Sequence, residues 1–193
     1  MTEINLDRIA SLVKEILEEI GEDPQREGLI ETPMRVAKSL KELTASTQLD
    51  QFTEGKMFPT EVTTNQQLVS VNNIPFYSMC EHHMLPFFGQ VHVGYLPQNG
   101  QIIGLSKIPR LVNYVSRKLN VQENITRDVA EILMGITNAK GVAVVVDARH
   151  MCVEMRGVQK VNSITRTHYY LGEFNDNLQT RNEFLQSLPK VVY

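Results

Sequence analysis

The sequence predicts an α+β fold in which helices precede a run of strand, strand, helix, helix, strand, strand. Three observations predict it: helical periodicity before Thr44, a change to strand-forming composition from Leu68, and an apolar run, GVAVVVDARHMCVEM, after two further helical segments. At 193 residues the chain can form one domain that buries roughly 70% of the surface its unfolded form exposes. One compact core with an appended helical segment is therefore expected.

Ile4, Ile9, Leu12, Val13, Ile16, Leu17 and Ile20 recur at helical spacing, with Gly21 as a C-terminal stop. Thr32-Pro33 reads as a second helix start, a threonine cap followed by a proline suited to the first turn. Val36, Leu40 and Leu43 mark its buried side. From about Thr44 to Gln67 periodicity lapses, and a connecting loop is expected. QLVSVNNIPFYSM and GQVHVGYLP then read as strands. In the second, Val91, Val93 and Tyr95 alternate with Gln90, His92 and Gly94, which predicts one buried and one open face.

Ser106 is placed to cap a helix carrying Ile108, Leu111, Val112, Val115 and Leu119, with Pro109 tolerable in its first turn. Ile125, Val129, Ile132, Leu133 and Ile136 mark the next helix. GVAVVVDARHMCVEM reads as a largely buried strand, NSITRTHYYLGEF as the last strand and RNEFLQSL as a short terminal helix.

The formal net charge of -3 offers no general attraction for nucleic acid, so an anionic substrate would need a local cluster of cations. No run approaches the ~18 apolar residues of a membrane helix. The start, MTEINLDRIASLVKEILEEI, lacks the regions of a secretory signal. The cytoplasm is the expected location, where two cysteines stay reduced and point to metal or catalysis rather than to a disulfide.

Cys80-Glu81-His82-His83 separates a cysteine and a histidine by two residues, a spacing that chelates one metal from a tight turn. In Arg149-His150-Met151-Cys152, His150 and Cys152 lie two apart on a predicted strand and should share a face. Two thiolates and one imidazole on zinc leave a fourth position for water, whose pKa the metal lowers, with His82 and His150 beside the ligands to move protons. Spacing alone leaves two other readings open: a structural zinc with His82 or His150 as fourth ligand, and no metal. There is no H-E-x-x-H helix and no C-x-x-C pair.

Gly104-Leu105-Ser106-Lys107-Ile108-Pro109-Arg110 brings free helix N–H groups, a hydroxyl and two cations to one helix start, an arrangement that suits an anion and equally an ordinary capped helix. Arg156, four residues past Cys152, is a further phosphate candidate or a surface ion-pair partner. Glu123, after Gln122, either favours the helix dipole or accepts paired hydrogen bonds from guanine. His92 reads as a packing or hydrogen-bonding residue, and His168 is left unassigned.

Five ordered blocks, GEDPQREGLIETPMRVAKSLKEL, PFYSMCEHHMLPFFGQVHVGYLP, IIGLSKIPRLVNYVSRKLNVQE, GVAVVVDARHMCVEMRGVQK and TRNEFL, resemble the GTP cyclohydrolase I family. The resemblance implies a tunnelling fold (T-fold) with an antiparallel sheet and paired helices over residues 67–193, preceded by a helical extension and connecting loop over 1–66. It also implies a toroidal homodecamer with active sites at subunit interfaces.

By the same matching, Cys80, His83 and Cys152 take the zinc-ligand positions and His82 and His150 the catalytic histidine positions. Gln122 and Glu123 take the guanine-recognition positions, and Ser106, Lys107, Arg110, Arg156 and Lys38 the triphosphate contacts. The implied reaction converts GTP and water to 7,8-dihydroneopterin triphosphate and formate, a first step of tetrahydrofolate and pterin biosynthesis. The alternatives are a structural zinc assembly module on the same fold and a sister enzyme acting on another purine or pterin. The chain departs from the family pattern at VNSITRTHYYLGEF, where a glycine-containing turn and threonine-rich strand are usual, and at Pro109.

Overall fold

In the computed structural model, residues 3–60 and 67–189 are described. The chain separates into two units, Met1–Leu49 and Asp50–Tyr193.

In the first unit, α1 (Leu6–Glu19) opens at Asn5, whose side-chain oxygen accepts from Arg8 N at 2.8 Å and satisfies one orphan donor of the first turn. It packs against α2 (Thr32–Leu43). The cap of α2 differs from the expected one: Glu31 is the N-cap, and Thr32 and Pro33 are already helical. The Thr32 hydroxyl donates back to Gly28 O at 3.5 Å, so it is not available as a cap. The expected loop from Thr44 is also more ordered than its lack of periodicity suggested. It holds a 3-10 turn at Ala45–Gln48 and a short strand, β1 (Met57–Pro59). Pairing supplied from outside the segment, by β4 (Gln101–Ile103), makes β1 a strand. Residues 61–66 of that loop lie outside the described residues.

The second unit is built on a five-stranded sheet in the order β5-β2-β3-β6-β7. Its strands are β2 (Val69–Cys80), β3 (Pro86–Leu96), β5 (Leu119–Asn120), β6 (Gly141–His150) and β7 (Thr165–Gly172). All pairings are antiparallel except the short parallel one of β5 with β2. Helices α3 (Lys107–Ser116) and α4 (Gln122–Thr137) cover one face through Leu111, Val112, Val115, Ile125, Val129 and Leu133. The expected order of strand, strand, helix, helix, strand, strand is the order found, with β4 and β5 as short additions.

β6 is covered on both faces, which explains its unbroken apolar run. Val142, Val144 and Val146 face the helices, while Ala143 and Val145 pack with Leu96, Phe174 and Phe184 of α6 (Glu173–Asp176) and α7 (Leu178–Ser187) on the other side. His92 is likewise not on an open face. It is 2% exposed, and its Nδ1 accepts from Asn73 N at 3.3 Å, across a β-bulge where Asn73 has φ 56°.

β6 ends at His150, earlier than the sequence run suggested, and α5 (Met151–Glu154) follows. Arg149 donates from Nε and a terminal nitrogen to the Glu154 carboxylate at 2.8 and 2.5 Å. Five residues of extended chain would hold those two side chains roughly 16 Å apart, so their ion pair requires the backbone between them to coil.

Candidate active site

The strand order determines where the chemistry collects. β2 and β6 both flank β3 and run antiparallel to it, so their C-terminal ends, Cys80 and His150, lie beside its start at Pro86 and Phe87. β5 pairs Asn120 with Cys80 and delivers the N-terminus of α4, with Gln122 and Glu123, to the same end.

Between β2 and β3 the chain reverses in a tight turn. Cys80 N donates to Leu85 O at 2.9 Å, Met84 N donates to Cys80 O at 2.8 Å, and Met84 takes a left-handed φ of 52°. This turn brings His83 back over Cys80. The helical turn of α5 brings in Cys152, and the ligand atoms of Cys80, His83 and Cys152 lie within 4.8 Å of one another. The two cysteines are free thiols. Burial pushes the Cys152 thiol above its ordinary value, the neighbouring Cys80 adds to the shift, and Arg156 opposes it.

His150 is held on two sides. Its ring stacks on Phe87 at 4.8 Å and 4° between planes, and its Nε2 lies 2.8 Å from the Gln122 side-chain oxygen. Burial lowers its pKa below the usual imidazole value, with the Glu123 charge pulling the other way. His82 stands at the same turn, its side chain 65% exposed, with Nδ1 3.8 Å from Cys80 Sγ. The expected geometry for His150 and Cys152 is corrected here: they do not share a strand face, because Cys152 sits in α5, and the helical turn rather than strand alternation brings it to Cys80.

The remaining sequence-picked residues divide into groups. Arg156 donates to His83 Nε2 at 3.1 Å and so joins the thiol cluster. Glu123 is exposed and lines a 470 Å³ cleft with Arg127, Arg166, His168 and Tyr169. Gln122, in contrast, is 1% exposed, with its amide nitrogen bonded inward.

Ser106 precedes α3 without a side-chain cap, and the N–H groups of Lys107 and Ile108 donate to Gly104 O and Leu105 O. Arg110 is ion-paired with Glu54. α3 has ten residues and is about 15 Å long. Just past its C-terminus, Lys118 O accepts from Ser78 on the Cys80 end of β2, whereas its start follows β4, where Ile103 N donates to Tyr95 at the far end of β3. Within one chain, then, the Ser106–Lys107 start and the Cys80 cluster lie at opposite ends of α3. Lys38 is exposed on α2 of the first unit.

The sequence reading missed the parts that hold the cluster in place: Phe87 under His150, the Arg149–Glu154 pair, and Thr126, Thr165 and Thr167 around Gln122. None falls in a ligand spacing or a periodic pattern. The one signal available was Arg149 and Glu154, two opposite charges five residues apart in a largely apolar run.

Among the described residues no helix is long and apolar enough to cross a membrane. The sequence profile of the family described as GTP cyclohydrolase I matches residues 9–189. The chain is 59% identical over 176 residues to the GTP cyclohydrolase 1 of Latilactobacillus sakei, covering 91% of this chain and 93% of that protein. It is 50% identical over 188 residues to the GTP cyclohydrolase 1 of Lactiplantibacillus plantarum, covering 97% and 98%. It is also 63% identical over 182 residues to the bifunctional protein FolKE of Lactococcus lactis subsp. cremoris, which takes in 94% of this chain and 52% of that protein. The chain thus spans about half the length of that relative.

Proposed function

The chain belongs to the GTP cyclohydrolase I family, and from that membership and the geometry of the site we propose that it opens the guanine imidazole ring of GTP by hydrolysis. The products would be 7,8-dihydroneopterin triphosphate and formate. The observation that carries the reading is the convergence of Cys80, His83 and Cys152 within 4.8 Å, beside a histidine held at 2.8 Å by a buried glutamine.

The trio fits zinc. Two thiolates and an imidazole are a common zinc donor set, and bond lengths of 2.0–2.3 Å correspond to ligand separations of roughly 3.3–3.8 Å, a small contraction from the present spacing. Cys80, His83 and Cys152 would hold the ion, and three protein ligands suit a catalytic rather than a closed site. Bound there, it supplies Lewis-acid chemistry at neutral pH.

The chain's own residues do the rest. His150 moves a proton at N7 of the base, and His82, exposed at the same turn, serves as the second proton carrier. Glu123 accepts from the amino and ring N–H groups of guanine, a pairing that adenine cannot offer. Lys107, Arg110, Ser106, Arg156 and Lys38 hold the triphosphate through charge-assisted hydrogen bonds.

α3 separates the Ser106–Lys107 start from the thiol cluster of the same chain by about 15 Å, so one site needs these groups from different copies. This supports a homo-oligomer, a decamer on the family pattern, with sites at subunit interfaces. The tunnelling-fold domain, residues 67–193, would carry the catalysis, and residues 1–66 the extension. A cytoplasmic location suits the two free thiols.

The test is formate release and pterin absorbance from GTP, with protein stripped by a chelator and then reloaded with zinc. Turnover that vanishes and returns with zinc is expected. Zinc-loaded, assembled protein that releases no formate overturns the reading.

A further inference from the structure

We propose that Gln122 is a positioning residue that fixes the tautomer of His150, leaving Nδ1 as the ring nitrogen that exchanges protons with the substrate. The family matching placed Gln122 with Glu123 in guanine recognition, but every polar atom of its side chain is engaged inside this chain.

Hydrogen-bond polarity fixes the orientation of the Gln122 amide. The Gln122 amide nitrogen lies 2.9 Å from Val146 O, 2.9 Å from Thr165 O and 3.1 Å from Thr167 Oγ1. The first two are backbone carbonyls and only accept. The third is determined by its neighbours. Thr126 donates its hydroxyl proton to Gln122 O at 2.8 Å, so its oxygen must accept in the 2.6 Å contact with Thr167. Thr167 has then used its own proton and presents a lone pair to Gln122. Three acceptors thus face one end of the amide, and that end must be NH2, since the reversed amide would set oxygen against oxygen in a buried site.

The other end is a carbonyl oxygen, 2.8 Å from His150 Nε2. An oxygen with no proton can only accept, so Nε2 carries the hydrogen. With Phe87 stacked on the ring face, rotation is blocked as well. Neutral His150 therefore holds its proton on Nε2 and a lone pair on Nδ1. In the proposed reaction Nδ1 takes up a proton from water and then gives it to N7 of the base. The imidazolium formed in between is stabilised by the Gln122 oxygen, and the ring returns to the Nε2–H form. In the same way, a partner on the far nitrogen of a histidine decides which nitrogen works in other acid–base sites.

The experiment has two readouts. The first is solid-state 15N NMR of protein labelled at histidine, with His150 assigned by its loss in His150→Ala, at about pH 8, above the ordinary imidazole range. A protonated Nε2 and unprotonated Nδ1 are expected in the wild type, and a mixed tautomer in Gln122→Met. The opposite tautomer in the wild type overturns the inference, and this measurement needs no variant at position 122 to fold.

The second readout is kinetic and rests on the hydrolase reading. Gln122→Met should lower kcat by at least about 100-fold, in the range of a lost general acid, with KM for GTP within about twofold and zinc content unchanged. A rise in KM at constant kcat would return Gln122 to guanine binding and overturn the inference. Absence of formate from the wild type would remove the hydrolase reading instead, while the tautomer is still read without turnover.

Discussion

Arg149 and Glu154 close a two-bond ion pair across the turn that carries Cys152, at 2.8 and 2.5 Å. The pair spans the interval between His150, at the end of β6, and Cys152, in α5. It is a brace: it keeps α5 coiled and so keeps the Cys152 thiol facing Cys80. The arginine also holds the Glu154 carboxyl below its ordinary pKa.

Loss of the brace should therefore appear in metal affinity before it appears in the fold. Glu154→Gln is expected to weaken zinc binding by about 10- to 100-fold, the usual effect of disturbing a group that orients a ligand. Competition with a chromophoric chelator measures it. Unchanged affinity would show that α5 holds its turn without the pair.

Removal of either thiol should have a larger effect. Cys80→Ser or Cys152→Ser leaves two of three ligands, and zinc stoichiometry should fall to near zero with formate release reduced by about 1,000-fold or more. Metal analysis of the purified variants, alongside their circular dichroism, separates this from unfolding.

His92 links stability to pH. Burial lowers its pKa; Asp147, with an oxygen 3.8 Å from Nε2, works against that, and Arg166, which is bonded to Asp147 at 2.7 and 2.8 Å, adds to it. A group whose folded pKa is depressed contributes stability above its unfolded pKa and loses it as pH falls through the folded value. The melting temperature should thus decline as pH drops below the ordinary histidine range. His92→Asn should flatten that decline, and differential scanning calorimetry across the range checks it.

Shared sites can be tested by mixing. Lys107→Ala and His150→Ala, each inactive alone, should give active sites when unfolded together and reassembled. With random mixing of equal amounts, about a quarter of sites would receive both intact groups. No recovery would mean that both groups serve one chain's own site.

Helix α1, helix α4 and the apolar run of β6 were legible because their signal is local. An amphipathic period or a continuous apolar stretch is complete within the segment that forms the element. The candidate metal-ligand types were legible for a similar reason, since both cysteines stand beside histidines. β1 was not legible, because a three-residue strand takes its order from its partner β4. Nor was the burial of His92, which depends on what covers the second face of the sheet.

By itself the sequence determined the candidate donor set, the order of the main strands and helices, and the family, all recorded in residue identity and short-range spacing. Only the tertiary structure decided how those donors meet. Cys80 and Cys152 converge because β2 and β6 both flank β3 and because an ion pair coils α5. Gln122 turns inward because three acceptors from β6 and β7 surround its amide. The Ser106–Lys107 helix start lies away from its own chain's thiols because α3 stands between them. Each of these depends on contacts between segments distant in sequence, which local spacing does not encode.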